Sequence, residues 1–352
     1  MTTLNGLILA CSSSEEDDLA HRLQGRTRYA LPLANRVLVR YAAEALVAVG
    51  VKDVAVIVSG ATGSDVSDLI GDGSRFGANF HYLEMDPPAT ALQMLSAAHD
   101  ELGDRSLIVH PGDALITGGL RTIVADFERH QPDVLLVSER SHSYPEAIRS
   151  GVRGTDQRAH QLDQLDHVAP AAIISAAALR EVDRFSADTA TLGGTVAALA
   201  EAGVNVSGQA RDGCWCYAPD CDHLLEANRM ILDELPHIPP EAAPDSVRIE
   251  GRVAIHPTAR LERTTIRGPA VIGGGAEVLD TFIGPYTSVG ADARLEGAEI
   301  EHSIVLEGAS IQHVGQRIEA SLIGAGAEIT RDFGMPSALR LRVGRESTVR
   351  LA

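Results

Sequence analysis

The sequence predicts two domains, a doubly wound and mostly parallel α/β domain followed by a parallel β-helix. Short apolar runs alternate with helical stretches over residues 4–233, a proline-rich segment interrupts both patterns near residue 240, and from Val253 apolar residues recur every five or six positions. A chain of 352 residues has room for both, because single hydrophobic cores stop growing at about 250–300 residues.

The run LNGLILA reads as a buried parallel strand. Apolar residues at helical spacing over residues 37–49 predict a helix that Gly50 stops. VKDVAVIVS, FHYLEM and SLIVHPGD read as further strands, separated by the helical SDVSDLIGDG and ALQMLSAAHDEL. DVLLVSE and PAAIIS follow as strands, TVAALAEAG as a helix, and GCWCYAP as a last strand leading into the helix DHLLEANRMILDEL. Strands alternating with helices imply right-handed crossovers and a Rossmann-like sheet. Ligands in such sheets sit beyond the carboxyl ends of the strands, so the loops after Ala10, at residues 85–90 and at Gly112-Asp113 should converge on one crevice.

PHIPPEAAPDS cannot continue a helix and reads as a linker. The predicted boundaries are 1–235 for the α/β domain, 236–248 for the linker and 249–352 for the β-helix with its tail. Beyond the linker, Ile255, Leu261, Ile266, Ile272, Val278, Ile283, Val289, Leu295, Ile300 and Ile311 mark the hexapeptide period of a parallel β-helix, whose turns bury apolar rungs only by stacking. The open ends of a short solenoid predict a homo-oligomer.

The formal net charge of −18 repels phosphate backbones and anionic lipid surfaces, so neither nucleic acid nor membrane is expected as a partner. Arginine carries nearly all the positive charge, and Lys52 is the only lysine. No apolar run reaches the roughly 18 residues a membrane span needs and MTTLNGLILACSSSEEDD has no basic stretch, which predicts a cytoplasmic protein. Cys11, Cys214, Cys216 and Cys221 in such a chain argue against a disulfide framework.

With these elements placed, the chain resembles the long form of the glucose-1-phosphate thymidylyltransferase family, which makes dTDP-glucose. The segments that carry the resemblance include PLANRVLVRYAAEAL, IGDGSRFGANFHYL, HPGDALITGGL, LLEANRMIL, IRGPAVIGGGAEVLDTFIGPYTSVG, EIEHSIVLEGASI and the tail MPSALRLRVG. The resemblance implies a nucleotidyltransferase fold ending in a left-handed β-helix, and its function must be argued from the site.

The family cradles nucleotide phosphates in a G-G-x-G-T-R loop. Here Cys11 and the turn Ser12-Ser13-Ser14 lead into Glu15, Glu16, Asp17 and Asp18, four acids where the family holds a triphosphate. A family lysine that steadies the α-phosphate aligns with Arg28, and a second, which holds the sugar phosphate, has no counterpart in LDQLDHVAP. The base-reading glutamine aligns with Met85 and its following turn with Ala89-Thr90-Ala91-Leu92. Of the two metal-binding aspartates, the one after Gly112 is retained as Asp113, while the other aligns with Tyr217, two residues after Trp215. The resemblance thus implies a nucleotide crevice of Ser12, Ser13, Met85 and Gly112, with Arg28 the catalytic group if any activity remains. Asp113 would be a weak Mg2+ ligand, and no cofactor is otherwise required.

Each of these residues also has a plainer reading. Asp113 suits a strand-to-loop turn, and His110 suits a packed strand. Cys214, Cys216, Cys221 and His223 have metal-capable side chains, but their spacing is not a common zinc pattern and packing explains them better. His302 and His313 on the β-helix read as solvated or interface histidines. Three functions follow. The first is a non-catalytic or repurposed homologue that binds a sugar phosphate or nucleotide and assembles with itself or an active paralogue. The second is a diverged but active nucleotidyltransferase for an unusual sugar or cyclitol phosphate, and the third an acyltransferase centred on the β-helix.

Overall fold

Strands without a polar face need cover on both sides, and the α/β domain is built around that need. The computed structural model describes residues 4–11, 18–85, 89–139, 170–182, 192–236 and 245–331. Its main sheet runs, edge to edge, Val206–Arg211, Val134–Glu139, Ala171–Ile174, Leu107–Pro111, Asn5–Ala10, Asp53–Val58 and Asn79–Glu84. Ala171–Ile174 is antiparallel to both neighbours, and every other pairing is parallel. This is the mostly parallel, doubly wound sheet that the alternation of strands and helices predicts.

Helices Ala91–Leu102 and Leu192–Glu201 cover one face, setting Leu92, Leu95, Val196 and Leu199 against Leu7, Ile57, Val109 and Ile174. Leu38–Ala48, Gly63–Ile70 and Arg121–His130 cover the other through Val39, Leu46, Val66, Ile70, Ile123 and Phe127. Each fully buried aliphatic side chain of this kind contributes about 1.5–3 kcal/mol. Gly50, at φ 90°, ends Leu38–Ala48 where the sequence places the stop.

Two strands differ from the sequence reading. Cys214–Cys216 is not part of the main sheet but pairs antiparallel with Ala114–Ile116 in a separate ribbon. The strand beyond the last helix of the sheet is instead Val206–Arg211, an edge strand in which only Val206 is buried. One neighbour and one buried side chain leave no apolar run to detect.

Residues 247–330 form three parallel five-stranded sheets. Val253 lies beside Ala270 and Ala270 beside Thr287, a step of 17 residues a turn. Of the ten apolar positions that mark the period, eight are buried in the interior cluster, and Ile255 and Leu261 are partly buried and packed against it. Corners repeat as well. Arg263, Asp280, His302 and Ala320 adopt left-handed φ of 48, 48, 45 and 47°, a conformation that disfavours residues other than glycine by roughly 1–2 kcal/mol. Each precedes a hydroxyl residue, Thr264, Thr281, Ser303 or Ser321, whose side chain donates to the carbonyl two residues back at 2.6–3.0 Å. These local bonds offset part of the cost.

The domains meet over a shared apolar cluster in which Leu31, Leu33, Leu38, Leu115, Trp215, Leu224 and Leu225 pack with Ile304 and Leu306 of the β-helix. Helix Cys221–Asp233 ends just before the proline-rich segment, and strand Val247–Glu250 begins after it; residues 237–244 lie outside the described residues. Among the described residues, no helix is long and apolar enough to cross a membrane.

Candidate functional site

The parallel strands end together, and their loops meet as expected of a doubly wound sheet. Gly112 donates its N–H to Leu9 O at 2.8 Å and Met85 donates to Val58 O at 2.9 Å. The Cys11 thiol donates to Met85 O at 3.4 Å, and Thr62 Oγ1 donates to Ala10 O at 2.7 Å. Gly112 is needed for close approach, since a Cβ there would stand 3.2 Å from both Leu9 O and the Tyr29 ring.

Arg28 and Asp113 meet at these strand ends. Arg28 opens the short turn Arg28–Ala30, while Asp113 sits between Leu107–Pro111 and Ala114–Ile116. Nη1 of Arg28 lies 3.5 Å from Oδ2 of Asp113, with the two side chains 22% and 20% exposed. The guanidinium also rests 5.3 Å from the Tyr217 ring centroid and 5.9 Å from that of Tyr29. Tyr217 N–H donates to Asp113 O at 3.0 Å, which fixes the backbone below the carboxylate.

The donor set does not suit a divalent cation by itself. Asp113 looks onto a guanidinium, the position two residues past Trp215 is a tyrosine, and among the described residues no three His, Cys, Asp or Glu side chains gather to hold a metal. A magnesium ion here would depend on the ligand's own phosphates.

The structure brings Cys11, Arg28, Met85, Gly112, Asp113 and Tyr217 together at the carboxyl ends of the strands, where the crevice is expected. Ser12, Ser13, Ser14, Glu15, Glu16 and Asp17 lie outside the described residues, as does LDQLDHVAP apart from its final Pro170. Thr90 N-caps Ala91–Leu102 in a reciprocal capping box with Gln93, which gives the Ala89-Thr90 turn a helix-starting role. Lys52 is exposed and donates to Gly77 O at 3.1 Å, in the turn before its strand.

His110 is buried, and its Nδ1–H donates to Pro111 O at 2.7 Å. Burial pushes its pKa down to about 4. Within the cysteine segment, His223 Nε2–H donates to Cys216 O at 2.8 Å and the ring stacks on Trp215. Burial, followed by Asp220 and Asp222, pushes the Cys221 thiol pKa up, which lowers its reactivity. His302 packs edge-on to Tyr286, and His313 Nε2 lies 3.6 Å from Glu296.

A family model described as Nucleotidyl transferase matches residues 24–162. A glucose-1-phosphate thymidylyltransferase from Streptomyces griseus is 31% identical over 334 residues, covering 92% of this chain and 93% of that protein. The chain belongs to the nucleotidyl transferase family. A glucose-1-phosphate thymidylyltransferase from Streptomyces antibioticus is 30% identical over 91% of this chain and 92% of its own length. The low-salt glycan biosynthesis nucleotidyltransferase Agl11 of Haloferax volcanii is 27% identical over 91% and 93%. Family membership thus spans both domains.

Sequence reasoning missed the Arg28 to Asp113 pairing, the part of Tyr29, and the short hairpin that follows Arg28. The hairpin had one visible signal, the Asn of P-L-A-N-R between two short apolar runs, since Asn tolerates left-handed turns.

Proposed function

We infer that this chain binds a phosphorylated sugar or a nucleotide in the crevice and transfers nucleotides far more slowly than its relatives, acting chiefly as a binding and assembly module, alone or with an active paralogue. The observation behind this reading is the Arg28–Asp113 pair at 3.5 Å with the guanidinium stacked on Tyr217. A partly exposed ion pair is worth about 1 kcal/mol or less, so a phosphate can draw Arg28 away. The Asp113 carboxylate then faces the phosphate with a like charge, and Tyr217 offers no second acid through which a cation could bridge them.

The experiment is pyrophosphate release from glucose-1-phosphate and each common nucleoside triphosphate with Mg2+, beside an active relative. We expect turnover more than about a hundredfold below the control, since losing even one charge-stabilising donor costs on the order of 10²–10³. Turnover within that range, abolished by Asp113→Ala, would establish the second reading, a diverged but active transferase. That reading has its own support, because Arg28 and Asp113 are both partly open and near enough to serve one phosphate.

A further inference from the structure

The hairpin that follows the Arg28–Ala30 turn is held in part from outside its own domain. Pro32–Leu33 and Arg36–Val37 pair antiparallel across a two-residue turn in which Ala34 (φ 46°) and Asn35 (φ 62°) are both left-handed. Such turns favour glycine. Without it they persist only where surrounding contacts over-determine them, and a hairpin with two residues in each strand has little stability of its own.

The contacts come from three directions. Tyr41 OH, on helix Leu38–Ala48, donates to Leu33 O at 2.7 Å. Ala34 N–H donates to Oδ1 of the fully buried Asn228 at 2.9 Å. Asn35 Nδ2 reaches into the β-helix and donates to Val289 O at 2.7 Å. Asn228 is tied to the β-helix as well, since its Oδ1 accepts from Ser288 Oγ at 2.7 Å and its Nδ2 donates to Tyr286 O at 3.1 Å. Toward the crevice, Leu31 and Leu33 are buried in the cluster shared by the domains, and Thr27 N–H is anchored on Asp65 Oδ2 at 3.2 Å.

We propose that the β-helix is a positioning element for the crevice, with Asn35 and Asn228 as the positioning residues that register the hairpin and so set where the Arg28 guanidinium stands relative to Asp113. Leu31 joins the two ends, accepting from Leu38 N–H at the far side of the hairpin and donating to Arg28 O, both at 3.0 Å, so a displaced tip pulls on the turn that carries the guanidinium. The inference concerns geometry and holds whether the crevice transfers nucleotides or only binds them.

The test uses the full chain with Asn35→Gly and Asn35→Asp. Glycine suits the left-handed turn and removes only the bond to Val289, so this variant folds even if an Asn228 variant does not. Aspartate keeps the size but cannot donate. Arg28 reactivity toward phenylglyoxal is followed by mass spectrometry with Arg180, which is paired with Asp104 on the far side of the domain, as internal reference. Amide exchange over residues 28–38 is measured in parallel. Both variants should raise Arg28 modification and exchange over this segment roughly fivefold, the size of one net hydrogen bond, with Arg180 unchanged. If the melting midpoint falls, or stays, while Arg28 modification is unchanged in both variants, the tip contacts only hold the domains together and the proposal is overturned.

Discussion

The β-helix interior and the crevice are both assembled from residues far apart in sequence, yet they expose themselves to a reader very differently. In the β-helix, Ile266 lies beside Ile283 and Ile283 beside Ile300, so the residue one turn on does the same job. Place in the period therefore states burial. At the crevice nothing repeats, and the partners of Cys11, Arg28 and Asp113 are decided by sheet order and by one hairpin. A repeat turns tertiary structure into a local code. A convergent site has to be assembled before any of its contacts exists.

The largest expected effect tests the repetitive side. Ile283→Asp places a carboxylate in a column where Ile266, Ile283 and Ile300 are fully buried, and an unpaired buried charge costs several kcal/mol after relaxation. Circular dichroism and soluble yield should show no folded full-length protein. A variant that melts near the parent would break the claim that these rungs form one dry interior.

A smaller effect tests the convergent side, where burial and chemistry meet at His110. Well above pH 6.5 its imidazole is neutral in both states. As the pH falls from 6.5 to about 4, the unfolded chain takes up a proton that the buried ring refuses, so stability is lost on acidification, by up to about 3 kcal/mol. His110→Asn removes the titration while keeping a donor for Pro111 O. Urea midpoints at about pH 7 and about pH 4.5 should therefore differ less in the variant than in the parent. An equal acid sensitivity in both would show that the histidine reaches water.

The smallest effect sharpens the contrast by editing the crevice alone. Tyr217→Asp removes the ring under Arg28 and sets a second carboxylate near Asp113. Manganese should then raise the melting midpoint of the variant by the equivalent of roughly 1 kcal/mol at a few times its dissociation constant, and leave the parent unmoved. An equal shift in both proteins would mean that Tyr217 is not what limits cation binding.

What could be read beforehand follows the same division. Central strands such as Asp53–Val58 are apolar on both faces and announce themselves, as do the rungs. Arg28 and Asp113 were identifiable one by one from the family phrases, but their contact needs the Gly112 turn pressed against Leu9 O and Tyr29. Asn228 carried a signal that is plain only afterwards. It shares the buried face of its helix with Leu224, Leu225 and Leu232, and a polar residue on an apolar face marks a hydrogen-bonding partner arriving from elsewhere.

The sequence contains one tryptophan. Trp215 lies in the cluster to which both domains contribute and stands 6.3 Å, edge-on, from Tyr217, the ring beneath Arg28. Indole fluorescence from this protein is consequently an optical signal from a single point, where domain docking and the crevice share a wall. An unfolding curve followed by that emission records the separation of the two domains and the collapse of the crevice as one event.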